Sequence, residues 1–217
     1  SIDQAVISLA NFLATVILAR MVSPTELGVY GVGFTSLRLV RSIQEGIVIQ
    51  PVNTFGASMD LPNFRRYITS ASIIQLCFAL ASSLAAAFGG WVLTRTGNDI
   101  AGPALFSLWF TFLFWQLQEH LRRVLYTRGE VFHAVLNTTL ANAIRLGVLI
   151  LWAARGELTG IGGLHAIAWG SLAALIPGLW QTRSYWTLDS ANLIETWRKN
   201  WDFGRWILGG TLANWIS

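Results

Sequence analysis

The stretch from Gly28 to Pro51 constrains this chain more than any other. It is long and apolar enough to cross a bilayer, yet it carries Arg38, Arg41 and Glu45 near its middle. Spacings of three and four put those side chains on one helical face. A charge at mid-bilayer costs roughly 2.5–3.5 kcal/mol even on the lenient insertion scale, so such residues normally face a bundle interior or a wet cavity. The stretch is expected to form the polar lining of a pathway, with the remaining helices as its wall.

Composition makes the bilayer the solvent. Hydrophobic residues account for 53% and charged residues for 12%, against about 25% charged in ordinary globular chains. Eleven Trp suit anchoring at the headgroup level, with some serving as core filler. The basic balance, 15 Lys and Arg against 11 Asp and Glu, does not point to nucleic acid, because no dense basic run is interleaved with aromatics. Cys77 is the single cysteine, which excludes an internal disulfide framework, and its apolar run reads as a buried inert thiol. His120, His133 and His165 are scattered without partners at ligand spacing, so no metal is expected. No nucleotide or hydrolase fingerprint occurs, and neither a cofactor nor a catalytic residue is expected. The chain is apolar by Ile2 with no signal peptide before it, and it stops inside a span at Ser217; both ends read as cut.

The expected fold class is all-α integral membrane. A six-helix transmembrane lobe covers 1–182, with spans at about 2–19, 28–51, 68–93, 103–121, 131–154 and 161–182, each near the roughly 20 residues a bilayer needs. Ser23 before Pro24 reads as a helix start; Pro51 closes the second span, and a loop follows that ends in Arg65-Arg66. Small residues from Ala79 to Ala87 allow a neighbouring backbone to come close. A cytoplasmic linker, 183–202, holds an interfacial amphipathic helix over Ser190–Trp201, with Leu193, Ile194, Trp197 and Trp201 opposite Glu195, Arg198 and Lys199. Residues 203–217 begin a seventh span and a second lobe.

Orientation follows from the connectors. Those after the second, fourth and sixth spans hold nine Lys and Arg, and the others hold three, which makes the former cytoplasmic and puts the N-terminus inside. One short repeat stands out: Ser8-Leu-Ala-Asn-Phe-Leu13 returns as Thr211-Leu-Ala-Asn-Trp-Ile216. An even number of spans separates the copies, as in a parallel repeat about the membrane normal. The chain is then the first half of a two-lobe, twelve-helix protein.

Asp3-Gln-Ala, Leu9-Ala-Asn-Phe12, Leu18-Ala-Arg20 and Pro24-x-Glu26-x-Gly28-x-Tyr30 together resemble the opening of the Wzx-type polysaccharide and O-antigen flippases. These belong to the multidrug/oligosaccharidyl-lipid/polysaccharide (MOP) exporter superfamily. Leu121-Arg-Arg-Val-Leu-Tyr-Thr-Arg-Gly129 is similar to that family's cytoplasmic connector, and Phe203-Gly-Arg-Trp206 to the opening of its second lobe. The resemblance covers essentially all 217 residues through loose patterns of small and apolar types. It implies two six-helix lobes around a cavity that opens alternately to either side of the inner membrane. The implied cargo is a lipid-linked oligosaccharide of undecaprenyl-diphosphate type, handled by a monomer during polysaccharide or lipopolysaccharide biosynthesis. It also implies a cationic cavity, for which Arg38, Arg41 and Arg145 fit by location.

The chemistry of those residues points the same way. Guanidinium stays charged and matches phosphate oxygens bidentately, and a phosphate in a low-dielectric cavity needs such a partner. The competing reading is internal neutralisation of Arg41 by Glu45 four residues on. Glu45 itself reads as a structural partner or a proton-sensitive latch. Asn11 and Asn142 could meet sugar hydroxyls, although with Asn53, Asn137, Gln44, Gln75 and Gln116 they more commonly hold helices together. Glu119, Arg122 and Arg123 read as a solvated helix end, with a gate network as the weaker alternative. The leading expectation is a flippase for lipid-linked oligosaccharide. Its rivals are a drug or metabolite exporter of the same architecture, which should prefer intramembrane acids, and a membrane glycosyltransferase or polymerase, which should need acid-rich loops.

Overall fold

A computed structural model describes residues 2–187 and 192–216. The chain folds as α1 (Ile2–Met21), α2 (Pro24–Gln44), a π turn (Glu45–Ile49), α3 (Gln50–Gly56), α4 (Leu61–Arg95), α5 (Ala101–Thr127), α6 (Val131–Ala154), α7 (Gly160–Thr182), a 3-10 turn (Arg183–Tyr185) and α8 (Leu193–Ile216). No strand occurs among the described residues. With α2, the π turn and α3 taken as one rod, the described residues form seven long helices. Four of the helical stretches are long and apolar enough to cross a membrane: Asp3–Met21, Leu61–Arg95, Val131–Ala154 and Gly160–Tyr185. Arg38 and Arg41 in α2, and Gln116 and Gln118 in α5, lower the apolarity of those two helices, so apolarity alone does not yield the expected six spans.

Burial is inverted relative to a water-soluble domain. Gln44, Gln75, Gln116, Thr111 and Ser70 are fully buried, while Phe12, Leu84, Phe88, Ile150 and Ile176 face outward. Hydrocarbon favours this arrangement, because a polar group facing lipid has no partner and an apolar one loses nothing. Gln44 Nε2 donates to Gln75 Oε1 and to the Gln116 carbonyl, both at 3.0 Å, and Gln116 Nε2 donates to Ser82 Oγ at 2.7 Å. These bonds tie α2, α4 and α5 together. Cys77 is exposed on the outer face of α4, which corrects the expectation of a buried thiol; Gln75 and Ala79 take the inward positions on either side of it.

Small residues set the helix separations. Ala79, Ser83, Ala86 and Gly90 form the inward stripe of α4, and a Cβ on Gly90 would lie 2.2 Å from the Phe106 nitrogen of α5. A Cβ on Gly170 of α7 would lie 2.2 Å from the Ala141 carbonyl oxygen of α6. Side chains larger than hydrogen would push these backbones apart.

Helix boundaries depart from expectation in three places. Pro51 does not end the second rod, which runs on to Gly56. The π turn has already shifted the register, with Gln50 N–H reaching back to Glu45 O, and this widened turn precedes the residue that lacks an N–H. Arg65 and Arg66 lie in the first turns of α4, not in a loop; at 35 residues that helix is about 52 Å long, well beyond the hydrocarbon core. The linker helix and the seventh span form one helix, Leu193–Ile216, with no break at 202/203. Gly204 inside it packs against the π turn, its Cβ position 2.4 Å from Gly46 O. Lys199 does not join a free polar face, since its ammonium lies 4.2 Å from the Phe55 ring centre. Ser190, the expected start of the amphipathic helix, lies outside the described residues, as do the side chains of 211–216, the second copy of the repeat.

Contacts sort the connectors into two ends. Glu26 at the start of α2 accepts from Gly160 N–H at the start of α7 (2.5 Å). At the opposite end Arg122 reaches Asp3, and Tyr185 donates to Glu130. Arg128 Nη1, after α5, donates to Met59 O, before α4, at 3.5 Å, so the connectors after the second, fourth and sixth rods share one end.

Candidate functional site

A cavity of about 120 Å³ opens between α1, α2, α5, α6 and α7. Leu37, Arg38 and Arg41 reach it from α2 because offsets of three and four share a helical face. Asn142 and Arg145 reach it from α6 by the same rule, Asn11 enters from α1, and α5 adds Trp115, Glu119 and Arg122. Five of the six residues singled out by sequence thus line one space: Arg38, Arg41, Arg145, Asn11 and Asn142. Glu45 does not. It opens the π turn, and its Oε1 accepts from Gln50 Nε2 at 3.1 Å, an offset of five residues that the wide turn brings together.

The three arginines differ in what they already hold. Arg145 is 6% exposed and donates to Asn11 Oδ1 at 2.7 Å and to Tyr30 hydroxyl at 3.0 Å. Its guanidinium braces α6 against α1 and α2, and Asn11 is its acceptor. Arg41 is 39% exposed and lies 3.8 Å from Glu119, so its ion pair is with α5 and not with Glu45. The Arg38 side chain has no hydrogen-bond or ion-pair partner among the described residues and is exposed where it borders the cavity. Asn142 Nδ2 bonds its own helix at Thr138 O, 2.8 Å away.

The sequence reading missed the ionic centre beside these groups. Glu119 and Arg122 are each 4% exposed, which overturns their reading as a solvated helix end. Arg122 donates Nε to Glu119 Oε2 at 2.9 Å and Nη2 to Oε1 at 2.5 Å, while Nη1 meets Asp3 Oδ2. Arg123 Nε adds a further bond to Glu119 Oε1 at 3.2 Å. A Glu–Arg pair three apart was visible in sequence as a helical pair; its burial required α1 to bring Asp3 over it.

Asn137 and Asn53, named for helix cohesion, behave in that way, whereas Asn142 bonds within its own helix. Asn137 Nδ2 donates to Gln181 Oε1 at 2.7 Å between α6 and α7, and Thr127 Oγ1 to Asn53 Oδ1 at 3.4 Å. The Pro24-x-Glu26-x-Gly28-x-Tyr30 pattern also acquires a physical account. Ser23 caps α2 by accepting from Glu26 N–H at 3.3 Å, Glu26 holds the start of α7, and Tyr30 receives Arg145.

Electrostatically the lining sets four guanidinium groups against the carboxylate of Glu119, with Asp3 behind Arg122. The formal excess is two positive charges. At about 120 Å³ the cavity is smaller than the 300–1,000 Å³ of drug-sized pockets. It can take a compact anionic group and offer it Arg38 and Arg41, which are not committed elsewhere by hydrogen bonds.

An all-helical membrane protein with an apolar exterior and a charged internal cavity is the class that these features define. No family model matches the chain, and no curated protein matches it. Among solved structures it is similar to a MOP superfamily transporter from Pyrococcus furiosus, with a TM-score of 0.84 at 14% identity over 99% of this chain and 51% of that one. The chain spans about half the length of that structure. The likeness is one of fold: the helices follow the course of about half of a MOP superfamily transporter. The Pyrococcus protein is described as having a binding pocket of reverse polarity, which suggests a different function for it.

Proposed function

We propose that this chain is one lobe of a transporter that moves a lipid-linked oligosaccharide across the cytoplasmic membrane by alternating access. Its diphosphate would be held in the cationic cavity and its lipid tail left in the bilayer. One observation carries the reading: Arg38, a guanidinium without a partner among the described residues, and a loosely paired one, Arg41, sit on one face of α2 beside a cavity with excess positive charge. Cations inside a membrane bundle are costly unless something uses them, and guanidinium is the side chain best matched to phosphate oxygens. The likeness in fold supports a transporter and leaves the cargo to the charge of the cavity. Arginines outnumber acids there, which favours an anionic cargo over the cations a drug exporter would carry. The small volume suits a headgroup phosphate, with the sugars lodged beyond this lobe. In this reading the six rods before α8 are spans, and the end shared by the even connectors is cytoplasmic. The test is Arg38→Ala in cells: surface polysaccharide should be lost at unchanged protein level, and normal polymer would refute the role.

A further inference from the structure

We propose that Glu119 is a built-in counter-anion that holds Arg41 until a diphosphate group takes its place, and so sets what the cavity accepts. The inference rests on the anionic-cargo reading above and goes beyond it in assigning a role to an acidic residue. The two oxygens of Glu119 are used unequally. Oε2 receives Arg122 Nε at 2.9 Å, whereas Oε1 receives Arg122 Nη2 at 2.5 Å, Arg123 Nε at 3.2 Å and, at 3.8 Å, Arg41. The Arg122 fork is closed on both prongs, buried, and held from behind by Asp3. It is a permanent fixture. The Arg41 contact lies beyond hydrogen-bond distance, and its side chain is 39% exposed at the cavity.

Arg41 is therefore attracted by Glu119 without being bonded to it. An incoming phosphate can offer the same guanidinium short charge-assisted bonds of about 2.7–2.9 Å. It must also tolerate the Glu119 charge, which repels any anion entering beside Arg41. A singly charged group gains little over the resident carboxylate, while a multiply charged diphosphate bridging Arg38 and Arg41 gains two partners. Release then restores the Arg41–Glu119 contact, so Arg41 is never left without a counter-charge between cargoes.

The experiment measures calorimetric binding of inorganic pyrophosphate and, separately, farnesyl diphosphate to the intact protein in detergent. The variants are Glu119→Gln, Glu119→Asp and the double variant Arg38→Ala/Arg41→Ala. Glu119→Gln removes the competing charge and should tighten binding about tenfold, or about 1.4 kcal/mol. Glu119→Asp keeps a charge for Arg122 but draws it back from Arg41; it should tighten binding by a smaller factor and serves if the glutamine variant does not fold. Equal tightening toward both probes identifies the diphosphate itself as the ligand, and tightening toward farnesyl diphosphate alone identifies a lipid headgroup; either supports the role. If wild type binds neither probe, or the double arginine variant binds as wild type does, the anionic-cargo reading fails and this role fails with it. If wild type binds, the double variant does not, and the folded Glu119 variants bind equally or more weakly, the counter-anion role alone is overturned.

Discussion

Removing Arg122 should damage this protein more than removing any other cavity cation. Its guanidinium is 4% exposed and donates two hydrogen bonds to Glu119 and one to Asp3. Arg122→Ala would leave two buried carboxylates short of a counter-charge. Glu119 would keep Arg123 at 3.2 Å and Arg41 at 3.8 Å, but Asp3 would lose the cation that ties α1 to α5. Breaking a buried pair from one side typically costs about 3–5 kcal/mol, because a charge is stranded and not merely because a contact is lost. The same argument predicts that most of the loss returns when the cluster is neutralised as a whole. A triple variant, Asp3→Asn/Glu119→Gln/Arg122→Met, strands no fully buried charge, since the Arg41 and Arg123 that lose Glu119 are partly exposed, and it should recover the greater part of the deficit. Heat or SDS unfolding of purified protein in mild detergent, followed by tryptophan fluorescence, gives both values. Wild-type stability for Arg122→Ala, or a triple variant worse than the single one, would refute the claim that stranded charge is the cause.

Two further expectations follow from packing. Gly170→Ala should destabilise the α6–α7 contact, since its Cβ would meet the Ala141 carbonyl oxygen at 2.2 Å. Gly147→Ala, with open space around it, should stabilise α6 by about 0.5–1 kcal/mol through backbone entropy, and the unfolding assay that ranks them the other way would overturn this account of helix spacing. Cys77, exposed on the outer face of α4, should react in membranes with a lipid-soluble maleimide and resist an impermeant one; labelling by the impermeant reagent from water would show that this face is not in hydrocarbon.

How much of the site was legible in sequence depended on whether a single helix held the information. Arg38 and Arg41 reach one side of α2 because an offset of three shares a helical face whatever surrounds it. Asn142 and Arg145 were named by their place in a span, and their offset of three puts both at the cavity. Glu45 keeps the helical offset from Arg41, but the π turn that follows brings Gln50 to its side chain. Glu119 and Arg122 were recognised as neighbours and assigned to the wrong solvent, since burial belongs to what packs against a helix and not to the helix alone.

The chain by itself determined that it is helical and lives in a bilayer, and which face of α2 is polar. Those properties follow from local period and from the cost of charge in hydrocarbon, both of which act residue by residue. Only the tertiary structure decided which cations are spent and which are available: Arg122 on Asp3 and Glu119, Arg145 on Asn11 and Tyr30, Arg38 on nothing among the described residues. The physical reason is that a counter-charge must come within about 4 Å to count. Here the partners lie on different helices, more than a hundred residues apart in the cases of Asp3–Arg122 and Asn11–Arg145. No pattern along one helix carries such a distance.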